Sequence, residues 1–197
     1  MMTSQQELQA TLLELLPDQG YWSEEEYLWL TDHSNHAIEY TDGYVEVLPM
    51  PTRKHQAISK LLFLAFLAAV EQLGGTVFYA PLRLRIAAGK FREPDLLCLL
   101  DANDPRNQER YWLGADLVLE IVSPDNQERD LIAKRREYAA AGIPEYWIVN
   151  PQNEMIVVLR LVGSSYVEHG IFARGNLATS MLLPGFAVDV NAVFDAK

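Results

Sequence analysis

Glu120 sits inside the run DLVLEIVSPD (residues 116–125), where Leu117, Val118, Leu119, Ile121 and Val122 form an otherwise apolar stretch. A strand covered on both faces reads this way. An ionised carboxylate in such a strand is costly unless a counter-charge, hydrogen-bond donors or a metal compensates it. A second acid, Asp95, opens another apolar strand in REPDLLCLLD (92–101). Side chains alternate along a strand, so Val118, Glu120 and Val122 share one face of theirs, and Glu93, Asp95, Leu97 and Leu99 one face of the other. If the strands are neighbours, Asp95 and Glu120 converge. Two carboxylates held close raise one another's pKa unless a cation lies between them. Oxygen-only ligands with few histidines nearby suit a hard ion such as Mg²⁺ or Mn²⁺. In the helical pattern that follows, Gln127, Asp130 or Leu131, Lys134 and Tyr138 fall on one stripe, which makes Lys134 a candidate cation beside the metal. A surface pair between Asp130 and Lys134 is the competing reading.

These residues belong to a chain of 197 residues, 49% hydrophobic and 22% charged, enough for one domain with a substantial core. The longest apolar run, Leu61 to Val70, falls far short of the roughly 20 residues that span a bilayer. The N-terminal MMTSQQELQATLLELL is acidic and lacks a cleavage-site pattern, so the expected location is cytoplasmic. Cys98, in LLCLL, is the single cysteine, which excludes intrachain disulfides and cysteine-rich zinc sites.

The net charge of −11 argues against a polyanionic partner, but the charges are segregated. Residues 1–52 hold no Lys or Arg, whereas 53–92 hold Arg53, Lys54, Lys60, Arg83, Arg85, Lys90 and Arg92 against Glu71 alone. A local basic surface on an acidic protein is compatible with this, and so are ordinary solvated charges.

The elements that must position the acids follow from the pattern. Two small helices are expected over Glu7–Leu16 and from Ser23, the latter with the Ser23/Glu26 capping box. Ala37–Tyr40 and Tyr44–Leu48 flank Thr41-Asp42-Gly43 as a hairpin. A long apolar helix runs from about His55 to Leu73 and stops at Gly74-Gly75. TVFYAPLRLRIA reads as a strand or bent strand pair, REPDLLCLLD as a strand, and DANDPRNQERYWLGA as a polar loop. Asp125 and Glu128 form a second capping box for a helix to Ala141. EYWIVNP is a buried strand, EMIVVLRLVGSSYVEHGIFARG a hairpin, and a last strand surrounds Gly185–Val190. Tyr138, Tyr146 and Trp147 read as core aromatics. The order gives an α/β class, α+β-like in places, with a mixed sheet.

Pro94-Asp95, the segment Glu120 to Val122 and the string LEIVSPDNQERDLIAKRREYAAAGIPEYWIVNP together resemble the Uma-two family of restriction-endonuclease-like proteins, a branch of the PD-(D/E)XK nuclease superfamily. The similarity spans Ala37 to Pro151. It implies a core in the order α-β-β-β-α-β with flanking helices and an added β-hairpin. Residues 1–36 would be an N-terminal helical segment packed on a nuclease-like domain of residues 37–197. Asp95 and Glu120 would be metal ligands, with the main-chain carbonyl of Ile121 as a third. Where the general motif has lysine, two residues after the Glu, this chain has Val122. In the Uma-two branch the basic residue moves to the next helix, matching Lys134. The family hairpin reads D-G-E, whereas this chain has Asp42-Gly43-Tyr44. Glu39 and His55 match family residues and are placed as accessory groups.

The resulting expectation is an Mg²⁺- or Mn²⁺-dependent endonuclease hydrolysing DNA phosphodiesters, with Asp95, Glu120 and Lys134 catalytic. Arg83, Arg85, Lys90 and Arg92 would neutralise the DNA backbone. A homodimer paired through the C-terminal hairpin is expected. Two alternatives stand beside this: a catalytically silent nuclease fold that binds nucleic acid or protein, and a hydrolase of another phosphate ester.

Overall fold

The computed structural model describes residues 16–123 and 132–197. The expected helix over Glu7–Leu16, save its last residue, and the Asp125/Glu128 capping box lie outside the described residues. In chain order the elements are α1 (Glu24–Asp32), β1 (Ile38–Thr41), β2 (Tyr44–Val47), α2 (Arg53–Glu71), β3 (Thr76–Tyr79), β4 (Leu84–Ala87), β5 (Lys90–Arg92) and β6 (Leu96–Leu99). They continue as β7 (Leu117–Ile121), α3 (Lys134–Ala140), β8 (Glu145–Asn150), β9 (Met155–Val162), β10 (Ser165–Ala173), β11 (Leu177–Thr179), β12 (Ala187–Asp189) and α4 (Val190–Asp195).

Local chemistry sets the boundaries. At the start of α1 the Glu26 amide donates to Ser23 Oγ at 3.2 Å and the Ser23 amide donates to Glu26 Oε2 at 2.8 Å, the reciprocal pairing that satisfies otherwise orphaned donors. The β1–β2 hairpin turns on Asp42 and Gly43 with φ of 46° and 92°, the two positive values a tight primed turn requires. In α2, Ile58, Leu62, Phe66 and Val70 recur at four-residue intervals and are fully buried. Each such side chain contributes roughly 1.5–3 kcal/mol of burial before conformational entropy is charged against it.

The main sheet has six strands in the order β10-β9-β8-β7-β6-β3, antiparallel except for the parallel pair β7–β8. Helix α2, strands β3, β6 and β7, helix α3 and strand β8 reproduce the expected α-β-β-β-α-β succession, with β4 and β5 diverted into a second sheet. That sheet has the order β2-β1-β5-β4, and α1 lies against it through Tyr27, which stacks on Tyr40 at a 5.1 Å centroid distance.

One face of the six-stranded sheet packs Leu117, Leu119 and Ile121 against α2 and the C-terminal α4. The other packs Leu97, Leu99, Val118 and Val122 with Tyr138 and Ala139 of α3 and with Trp112. β7 is thus buried on both faces, as its apolar run predicts, and Glu120 stands in the file of Val118 and Val122.

Three expectations are corrected. Residues 90–92 form their own strand, separate from β6, because Phe91 is needed under Tyr27 and Tyr40. The polar loop carries a buried Trp112 that bridges to Leu84. The last strand ends at Asp189, whose side chain accepts the Asn191 amide at 2.9 Å and starts α4. Among the described residues no helix is long and apolar enough to cross a membrane.

Candidate active site

β6 and β7 pair with Leu96 opposite Leu119. Asp95 lies immediately before Leu96 and Glu120 immediately after Leu119, so the end of this pairing brings the two acids to the same end of β6 and β7. Asp95 is held from two directions. Its Oδ2 accepts the Ile121 amide at 2.7 Å, and its Oδ1 lies 3.1 Å from His55 Nε2. His55 reaches it from the first turn of α2, where the His55 amide donates to the Thr52 cap at 3.2 Å.

Glu120 is 5% exposed, and its compensation comes from α3. Lys134 Nζ donates to Glu120 Oε1 at 2.8 Å, and Tyr138 Oη donates to the same oxygen at 2.6 Å. Lys134 and Tyr138 are one helical turn apart, so they present together to β7. Lys134 Nζ also lies 3.2 Å from Glu39 Oε1, an acid of the smaller sheet. Glu39 in turn faces Arg92 at 3.7 Å, and Arg92 forks onto Glu137 through Nε at 2.9 Å and Nη2 at 2.6 Å. A chain of alternating charge therefore runs from β7 through α3 and β1 to β5. Each buried ion in it is offset by an opposite charge and by hydrogen bonds.

Burial works against protonation of the His55 ring, but its hydrogen bond to Asp95, the charges of Asp95 and Glu120 and a contact with the Ile121 main chain outweigh it and raise the pKa. Burial drives the Tyr138 hydroxyl well above its ordinary value, with the Glu120 charge adding to it, so the hydroxyl stays a donor. Glu93 is pushed up to about 8, first by burial and further by Glu39, against the opposing hydrogen bond from the Ile38 amide.

Glu39, His55, Glu93, Asp95, Glu120, Ile121 and Lys134 all line one cleft of about 930 Å³. The six residues expected in catalytic, metal-binding or accessory roles are thereby brought together. The four expected on a DNA backbone are not, since none of Arg83, Arg85, Lys90 and Arg92 lines the cleft. Arg83 holds Asp32 at 2.8 Å and Arg85 holds both oxygens of Glu24, at 2.9 and 3.0 Å. Arg92, expected on the DNA backbone, is 3% exposed at its side chain and is a buried partner of Glu137. Lys90 is partly exposed. Two groups were given no site role by the sequence: Glu93, which strand alternation sets on the Asp95 face and which lines the cleft, and Tyr138, read as a core aromatic, which lies behind the cleft and donates to Glu120 from one turn after Lys134.

A model of the family described as "Uma2: Putative restriction endonuclease" matches residues 24–191. The chain belongs to the Uma2 family. In fold it is similar to a crystal structure from Anabaena variabilis ATCC 29413, described as "a putative nuclease belonging to DUF820". That likeness has a TM-score of 0.70 at 20% sequence identity and covers 82% of this chain and 92% of the other. Comparison with curated proteins finds no match. Uma2 membership and the shared fold agree with the α-β-β-β-α-β core and with a nuclease architecture.

Proposed function

We propose that this Uma2 protein is a divalent-metal-dependent endonuclease that hydrolyses DNA phosphodiesters in the cleft around Asp95 and Glu120. The observation that carries the reading is that Asp95, just before β6, and Glu120, in β7, line one cleft, with the Lys134 ammonium 2.8 Å from Glu120.

Restriction-endonuclease-like nucleases generally use divalent metals. The donor chemistry here is compatible with one. Asp95 and Glu120 offer hard carboxylate oxygens in the same cleft, and Ile121, the residue after Glu120 in β7, lines it too. Among the described residues no group of three or more His, Cys, Asp or Glu side chains could hold an ion. Two carboxylates and a carbonyl would therefore hold it, few protein ligands for an ion that usually keeps several waters. Such an ion supplies polarisation of a phosphoryl oxygen and a more acidic water.

The chain's own residues do the positioning. The Ile121 amide and His55 lock Asp95 in one orientation. Tyr138 and Lys134 do the same for Glu120, and Glu39 holds the ammonium from the far side. Lys134 places positive charge where a phosphodiester gains negative charge in the transition state, in a site already shielded from water.

Incubation of supercoiled and linear DNA with Mg²⁺ or Mn²⁺ tests this. Cleavage by the parent chain and its loss in Asp95→Asn and Glu120→Gln supports it. The net charge of −11 and the internally committed arginines favour a second reading, a nuclease fold that binds without cutting. Mn²⁺ binding or DNA binding by calorimetry without any turnover would favour that one.

A further inference from the structure

The cleft has a wall that phosphodiester chemistry does not use. Leu48, Pro49, Met50 and Pro51 line it from the segment after β2, Phe63 and Leu64 from α2, and Tyr79 from the end of β3. Met50 is 71% exposed, Leu64 57% and Tyr79 55%. The Tyr79 ring is braced edge-on by Phe63 at a 4.9 Å centroid distance and an interplanar angle of 80°, and still keeps more than half of its surface open. Large apolar groups left in water beside a polar reaction centre mark a surface built for an apolar part of a ligand.

The charge distribution narrows which ligand. A duplex footprint neutralises about 6–10 phosphates, yet Arg83, Arg85, Arg92, Arg106, Arg110 and Arg174 each hold a carboxylate of this chain. The exposed cations lining the cleft are Lys54 and Lys60 of α2. Their ammonium groups donate to main-chain carbonyls of the C-terminal residues, Lys54 to Phe194 and Ala196 and Lys60 to Lys197 at 3.5 Å. The peptide carbonyls of Phe194 and Ala196 orient the Lys54 ammonium without cancelling its charge. Two lysines suit a few phosphates of one strand, and an exposed aromatic ring suits an unstacked base, the combination that single-strand binders use.

Resting on the nuclease reading, we infer that the cleft takes single-stranded DNA, with an unpaired base packed on Tyr79 and the Met50–Leu64 wall, flanking phosphates toward Lys54 and Lys60, and the scissile phosphate at Asp95 and Glu120. Exposed partners make this separable from folding, since Tyr79 and Leu64 carry little of the core.

Fluorescence anisotropy in EDTA, where no cleavage intervenes, compares a labelled strand of about 16 nucleotides with its duplex. The strand binds about tenfold more tightly, and Tyr79→Ala and Leu64→Ser each weaken it fivefold or more while leaving duplex binding and the melting temperature unchanged. Equal or tighter duplex binding overturns the inference. So does a Leu64→Ser chain that passes from dimer to monomer in sedimentation with DNA binding intact, which would assign the wall to a second copy. Cleavage with Mn²⁺ is scored separately. Duplex cutting without strand preference overturns this inference and keeps the nuclease, whereas strand binding with no cutting of any DNA keeps the surface and overturns the nuclease.

Discussion

Lys134 and Glu120 meet at 2.8 Å from different elements, α3 and β7, and the same ammonium lies 3.2 Å from Glu39 in the other sheet. With its side chain 6% exposed, Lys134 is the link that lets two buried carboxylates from two sheets approach one another. Any function assigned to the site has to work through that arrangement.

Removing the ammonium leaves both acids buried beside one another. Lys134→Ala is expected to lower stability by about 3–5 kcal/mol, the usual cost of stranding a buried charge. It should also abolish cleavage. Urea denaturation of Lys134→Ala, Glu39→Gln and the double variant gives the coupling, and the double variant should recover part of the loss because one stranded charge is gone. Additive losses would mean that Lys134 and Glu39 do not act as a pair.

Asp95→Asn separates ligand chemistry from folding. An amide oxygen can still accept the Ile121 amide that Asp95 Oδ2 accepts at 2.7 Å, so stability should change by only about 1 kcal/mol. Divalent affinity should fall steeply because a charged oxygen donor is lost from a two-carboxylate site. Isothermal titration with Mn²⁺ reads the affinity and thermal melting the fold. Undiminished Mn²⁺ binding in this variant would remove Asp95 from the metal site.

Glu93 makes stability depend on pH. Its folded pKa of about 8 lies above its unfolded value, so the folded chain prefers the protonated form. The stability this residue contributes is fully present below about pH 4.5 and is lost as pH rises through about 8. Its Oε1 accepts the Ile38 amide at 3.3 Å while Oε2 is buried without a hydrogen-bond partner, so that amide and the charges of Arg83 and Lys134 only partly offset the cost of ionisation. Glu93→Gln, neutral at every pH, should melt within a degree or two of the parent near pH 5 and several degrees higher near pH 9 in EDTA, given the several degrees per kcal/mol typical of a domain this size. Parallel melting curves across that range would place Glu93 in water.

How far the sequence exposes all this depends on how local each relationship is. The meeting of Asp95 and Glu120 in one cleft was legible because each lies in or beside a short apolar strand, and the two strands are neighbours. Lys134 and Tyr138 were legible as a stripe, although a helical stripe does not say which strand it covers. The roles of the arginines were not. Arg83, Arg85 and Arg92 look like a basic segment when counted along the chain, but their partners Asp32, Glu24 and Glu137 lie far away in sequence and reach them only when α1 and α3 dock on the smaller sheet. Strand β5 was hidden for the same reason, since a three-residue strand such as Lys90–Arg92 has no period of its own and exists through its pairing with β1 on one side and β4 on the other. Glu145 passed unnoticed as the first residue of a hydrophobic strand.

Glu145 is fully buried, and four donors surround its carboxylate. Oε1 accepts Trp147 Nε1 at 2.6 Å and Ser180 Oγ at 2.7 Å, while Oε2 accepts the amides of Met181 at 2.8 Å and Leu182 at 3.0 Å. This uses the full acceptor capacity of an ionised carboxylate and ties the segment after β11 to the start of β8. A glutamine in its place keeps one acceptor oxygen and turns an NH₂ toward two donors, whichever way the amide flips. Glu145→Gln should therefore cost about 3 kcal/mol, more than a single lost hydrogen bond, because two donors are left facing a third. Hydrogen exchange should show the amides of Met181 and Leu182 losing protection while those of β6 and β7 keep theirs until global unfolding. Unchanged protection at Met181 and Leu182 would mean that the segment is held by its apolar contacts, with Leu183 as the anchor, and that the carboxylate is dispensable.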